Sequence, residues 1–212
     1  MSDDVIINLH RSHSRRQTKT NTQSVSVSVI STKPESKAMV LFLLYIKAEL
    51  ENISKVSIKP DANICLSVKN PLSDFEKREK IVIDPQNIIE PEGREGECHF
   101  SLRWEGNKKK CSLKILTKEQ VKTALKKKKG ISDKIPRELT GDDTDFVPVL
   151  AFECKGLEPY EFHLMGSEIT AISEGGVEFD DVDLADDDWA DYDEENDDPV
   201  SISSFQAKIE TA

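Results

Sequence analysis

From Met39 onward, apolar and polar residues alternate with a period of two in one stretch after another, the pattern of strands with one buried face. Ile64, Leu66 and Val68 alternate with Asn63, Cys65 and Ser67, and Cys98, Phe100, Leu102 and Trp104 alternate with Glu97, His99, Ser101 and Arg103. Cys111, Leu113 and Ile115 follow the same rule, as do Phe146, Leu150 and Phe152 with Cys154. Lys80 to Asp84 reads as a shorter strand, and Val200 and Ile202 begin a last one. The apolar run Met39 to Ile46 is strand-sized or a short core helix, far below the roughly 20 residues that span a bilayer. Only Thr117 to Lys129 reads as helical, with few apolar positions (Val121, Ala124, Leu125) and a fraying end at Lys126 to Lys129 before Gly130. The stretch that follows, to Asp145, carries Pro136 and Gly141 and reads as a long exposed loop. The pattern predicts a mainly β domain over residues 39–212, an antiparallel sheet or sandwich-like fold with at most one short helix.

Residues 1–38 read differently. They hold Arg11, Arg15, Arg16 and many Ser and Thr residues but no large aromatic, too little apolar area to offset the entropy of ordering them. The expectation is a disordered N-terminal extension. Its lack of acids between Asp4 and Glu35 faintly resembles a mitochondrial transit peptide, but Asp3, Asp4 and the strand-like Ser24-Val25-Ser26-Val27-Ser28-Val29 oppose that reading.

Charge changes the picture in two places. The net charge of −11 is concentrated between Glu174 and Asp198, an acidic C-terminal segment (174–198) with fourteen Asp and Glu residues and no Lys or Arg. The rest of the chain is slightly basic, with eleven Lys and Arg between Arg103 and Lys129. Opposite blocks attract each other at short range or recruit separate partners. Lys108 to Lys110 and Lys126 to Lys129 could touch phosphates, but the overall pI near 4.9 and the lack of a recognition module argue against nucleic acid. Four cysteines, at 65, 98, 111 and 154, show no disulfide-scaffold spacing and suit reduced thiols in the cytoplasm or nucleus.

Phe152-Glu-Cys-Lys-Gly-Leu-Glu-Pro159 and Asp188-Trp-Ala-Asp-Tyr-Asp-Glu194 carry a family signature. Together they resemble the C-terminal part of the eukaryotic CXXC-motif-containing zinc-binding proteins (domain of unknown function 866). That resemblance implies a compact β-rich cytosolic protein with no established enzymatic activity. It also implies a zinc ion held by two Cys-x-x-Cys turns, yet this chain has no Cys-x-x-Cys. Gly93-Arg94-Glu95-Gly96-Glu97-Cys98-His99-Phe100 resembles the run that precedes the family's second turn. Counted from there, that turn falls on Trp104-Glu105-Gly106-Asn107 and the first on Asn70-Pro71-Leu72-Ser73. The resemblance therefore puts Asn70, Ser73, Trp104 and Asn107 where the four thiolates would be. No zinc or other cofactor is expected there, and Trp104 is expected to fill the space of the metal.

The alternative is a relocated site for zinc or another soft metal. Cys98 and Cys111 would share a face of paired strands while His99 pointed to the other, and Cys65 and Cys154 would have to supply the rest. Catalytic motifs are lacking: there is no nucleophile elbow, phosphate loop or His-Glu-x-x-His. Cys154 with His163 is the one imaginable nucleophile and base. The expectation is a non-enzymatic, monomeric binding or adaptor protein with a protein partner and no membrane or nucleic-acid role.

Removal of residues 1–38 should leave the thermal unfolding midpoint within about 2 °C of the full chain, less than a 1 kcal/mol effect would produce. Scanning calorimetry of the two chains checks this, and a large loss of stability would overturn the boundary.

Overall fold

The structure is a computed structural model that describes residues 39–90, 96–126 and 134–212. The expectation for residues 1–38 lies outside the described residues. The fold is mainly β, with thirteen strands and one helix described, and every pairing between them is antiparallel.

The centre is β1 (Val40–Glu51), whose run Phe42, Leu43, Leu44 and Ile46 is buried on both faces. A doubly buried strand needs no polar face, which is why its sequence did not alternate. It is flanked by β13 (Asp198–Thr211) and β8 (Val147–Lys155) in a six-stranded sheet. Beyond β13 lies β12 (Trp189–Asp193). Beyond β8 lie β6 (Cys111–Ile115) and then β5 (Phe100–Leu102). On one face, Leu43 and Ala151 pack against Val121 and Leu125 of α1 (Lys118–Leu125). Thr117 starts this helix with a capping box closed by Gln120, which satisfies N–H groups at its first turn.

The other face covers the main core with two smaller sheets. One orders β11 (Glu178–Val182), β10 (Ile169–Ser173), β2 (Ile53–Ile58) and β7 (Leu139–Thr140). The other orders β4 (Ser73–Ile83), β3 (Ile64–Asn70) and β9 (Glu158–His163). Ile46, Val56, Leu66, Val68, Phe152, Ile169 and Ile202 meet between them at 2% exposure or less. Each such side chain contributes roughly 1.5–3 kcal/mol by leaving water.

Several sequence expectations change. The period read through Phe146, Leu150 and Phe152 breaks at a bulge, where β8 inserts one residue opposite Leu44 and Tyr45, so Val147, Val149, Phe152 and Cys154 are the core positions. The strand placed at Lys80 to Asp84 is the end of β4, and that expected from Cys98 to Trp104 is only three residues long. Cys65 and Ser67, expected on a polar face, are both buried. The predicted loop before Asp145 contains β7. There Asp143 accepts bonds from the Thr140 N–H and hydroxyl and from both terminal nitrogens of Arg137, and that guanidinium holds its carboxyl well below the usual carboxylate range.

The acidic segment is folded as β11 and β12. Trp189 anchors it edge-on to Phe179, with ring centroids 5.4 Å apart. Tyr192, by contrast, is 46% exposed and donates its hydroxyl hydrogen to Asp197. The inner tie is Asp193, a buried carboxylate. It accepts the Ser173 hydroxyl at 2.6 Å, the Asn196 side-chain amide, and the backbone N–H groups of Glu195 and Asn196.

These donors, the Ser173 hydroxyl first, lower the Asp193 pKa below its usual 3.8. A depressed carboxyl adds stability that is complete above 3.8 and is lost as pH falls toward the folded value. Asp193→Asn should therefore destabilise the fold at neutral pH, and the gap from wild type should shrink on acidification below about pH 4. Urea unfolding across that range checks the trend; a gap that grows with acid would contradict it.

Candidate functional site

Of the two turns picked out by sequence, the second begins with a buried indole, Trp104. β3 and β4 are joined by the first turn, in which Asn70 pairs with Ser73 across the hairpin. Asn70 uses both ends of its amide: the oxygen accepts the Leu72 N–H at 3.0 Å, and the nitrogen donates to Glu76. The oxygen contact is an Asx-turn, a local bond that holds the bend without a metal. In the second turn the Asn107 N–H donates to the Trp104 carbonyl at 3.1 Å, and Gly106 takes φ +69°, which a glycine adopts without strain.

Trp104 itself is 1% exposed and among the largest fully buried side chains. Its Nε1–H donates to the Gly156 carbonyl at 2.9 Å, and the Arg78 guanidinium lies 5.7 Å from the ring centroid. Gly156 sits in the bend from β8 to β9, two residues before Glu158. Glu158 in turn pairs with Lys69 in register and through a 3.2 Å ion pair. Lys69 precedes Asn70, so the bend that the indole bonds leads into the strand paired with the arm of the first turn.

Neither this donor set nor its packing suits zinc. Trp104 offers no ligand atom, the Asn70 amide is spent on Leu72 and Glu76, and Asn107 accepts the Lys109 N–H through its side-chain oxygen. Zinc in a structural site takes thiolate or imidazole ligands in a tetrahedron.

The structure does not bring together the residues of the relocated alternative. All four cysteines are buried and none forms a disulfide. Cys111 faces Leu102 across the β5–β6 ladder, while Cys98 lies before the other end of β5 and bridges Ile89. Cys65 is on β3, in a different sheet from Cys154 on β8. Burial pushes the Cys154 thiol far up, so it is protonated at neutral pH. Among the described residues, no group of three or more His, Cys, Asp or Glu is placed to hold a metal ion.

His163 pairs with Ser67, not with Cys154, a contact that sequence reasoning missed because it joins β3 and β9 through tertiary register. Ser67 Oγ and His163 Nε2 are 2.7 Å apart, and Glu161 approaches the same nitrogen at 3.6 Å. A nucleophile relay needs the carboxylate on the far ring nitrogen and an accessible hydroxyl. Ser67 is fully buried and also accepts the Lys80 N–H at 3.3 Å. An open cleft of about 400 Å³ adjoins the pair, with Lys80, Tyr160, His163 and Phe205 among its walls. No helix among the described residues is long and apolar enough to cross a membrane.

A family model described as "CXXC motif containing zinc binding protein, eukaryotic" matches residues 43–210. This chain belongs to that family. A UPF0587 protein of Drosophila melanogaster is 28% identical over 181 residues, covering 81% of this chain and 97% of the fly protein. The CXXC motif containing zinc binding protein of Homo sapiens is 38% identical over 61 residues, 29% of this chain and 38% of the human one. A solved hypothetical protein from Plasmodium falciparum shares the fold with a TM-score of 0.66 at 22% identity, over 80% of this chain and 99% of that one.

Trp104→Ala should destabilise this family member by roughly 3–5 kcal/mol, the range for emptying a large aromatic from a core. Trp104→Phe should cost less, about 1–3 kcal/mol, since it keeps most of the packing but leaves the buried Gly156 carbonyl without its donor. Denaturant unfolding of the pair checks this; a loss under about 0.5 kcal/mol for the alanine variant would show that the indole fills nothing.

Proposed function

We propose that this chain is a non-enzymatic binding or adaptor module of the CXXC family in which the two zinc turns have become metal-free packed turns. The observation that carries the reading is the placement of Trp104, buried in the second turn and hydrogen-bonded to Gly156 at the bend into β9, the strand that pairs with β3. A structural zinc site contributes on the order of 10 kcal/mol to folding in small peptides. Here, burial of an indole, one hydrogen bond and an Asx-turn are the interactions that would stand in for it, with no thiolates to desolvate. The buried, reduced thiols are consistent with action in the cytoplasm or nucleus. The partner class is another protein. The tip of the β3–β4 hairpin supports that choice, with Leu72 76% and Phe75 97% exposed, since large apolar side chains left in water are typical of contact surfaces. The sealed Ser67 and the high thiol pKa of Cys154 favour binding over catalysis.

Protein purified without a metal-binding tag should carry far less than one zinc per chain by elemental analysis, and chelators should leave its unfolding midpoint unchanged. Stoichiometric zinc that survives dialysis would overturn the reading. Joint replacement Asn70→Cys, Ser73→Cys, Trp104→Cys and Asn107→Cys should introduce zinc binding if the two turns keep the family's spacing in space.

A further inference from the structure

His99 lies just before β5 and is bound to β6 twice. Its backbone N–H donates to the Leu113 carbonyl at 2.9 Å, and its Nδ1 accepts the backbone N–H of Ile115 at 3.0 Å. Its neighbour Cys98 exchanges two backbone bonds with Ile89, at 2.7 and 3.1 Å. One residue beyond Ile115, the Leu116 N–H bonds to the Ala151 carbonyl, and Thr117 then caps α1. The side chain of His99 thus fastens the approach to β5 onto the end of β6, where β6 leaves for the helix. An imidazole accepts at Nδ1 only while that nitrogen carries no proton.

We propose that His99 is a pH-sensitive latch, which holds the segment before β5 on β6 while neutral and releases it when protonated. A proton on Nδ1 turns the acceptor into a donor facing the Ile115 N–H, and that amide loses its partner. The charged groups around the ring are Lys114 from β6, Asp84 from the bend after β4, and Glu97 from the same segment as His99. Glu97 and Lys114 also form a 3.9 Å ion pair. Burial, and after it Lys114, lower the His99 pKa below its ordinary 6.5, while Asp84 and Glu97 oppose the shift. The latch is therefore closed at neutral pH. Its contribution to stability is complete above 6.5 and falls as the pH drops below that value toward the folded pKa.

Amide hydrogen exchange of the full chain, at about pH 7.5 and about pH 5 and corrected for intrinsic rates, tests the latch. Protection of the Ile115 amide should fall about tenfold on acidification relative to that of Leu44 in the central strand. In His99→Asn, whose side-chain oxygen accepts an N–H without titrating, the same ratio should stay flat. Equal ratios at both pH values in the wild type, or the same fall in both proteins, would overturn the proposal. Should the variant fail to fold, ¹⁵N shifts of His99 in the wild type decide. A ring protonated on Nε2 and bare at Nδ1 near neutral pH supports the latch, and the opposite tautomer refutes it.

Discussion

The chain passes from the six-stranded to the three-stranded sheet at Gly156, where the backbone takes φ +72° and leaves a carbonyl facing the interior. A buried carbonyl without a donor costs about 1–3 kcal/mol, and at a junction between sheets no ladder is at hand to supply one. Trp104 supplies it from a turn fifty-two residues earlier in the chain. That bond ties the bend just before β9 to the second turn. β9 sets the register of β3 through Cys65 to Lys69, and β3 in turn carries β4 and the Asn70 turn. The small sheet is thus suspended from the large one at the point where the indole sits.

Local period and turn chemistry made much of the architecture legible before any coordinates. The β6 strand alternated cleanly because Cys111 and Leu113 face the core while Ser112 and Lys114 do not. The helix read over Thr117 to Lys129 from Val121, Ala124 and Leu125 is found as α1, with Val121 and Leu125 buried. What escaped was set at a distance. β1 is buried on both faces, so no periodicity distinguished it from a short helix. The bulge in β8 shifted its faces mid-strand, and only the partner strand reveals it. β11 and β12 were hidden because carboxylates outnumber apolar residues, yet Phe179, Val182 and Trp189 pack with the core and Asp193 ties the segment inward. At the candidate site, burial of Trp104 could be expected from its place at the end of an apolar face. Its acceptor could not, since nothing local links Trp104 to Gly156.

Turns bonded within themselves keep their shape without outside help. Both turns here close with bonds of their own, Leu72 N–H to Asn70 and Asn107 N–H to Trp104. Of the two stretches that resemble the family, Phe152 to Pro159 lies in the β8–β9 junction and includes Gly156, the acceptor of the Trp104 indole, whereas Asp188 to Glu194 lies in and around β12.

The acidic strands occupy particular places in the sheets. β12 is one of the two outer strands of the six-stranded sheet and β11 one of the two of the four-stranded sheet, so each has one side that no strand among the described residues pairs with. Such borders invite other chains to pair, and proteins resist this with charge. Asp180, Asp181, Asp191 and Glu194 stand along these two borders, exposed. A second copy that tried to extend either sheet would bring its own matching carboxylates up against them. The acidity that looked like a tail in the sequence thereby acts as a fence, keeping two open margins of a strand-rich protein from growing into its neighbours.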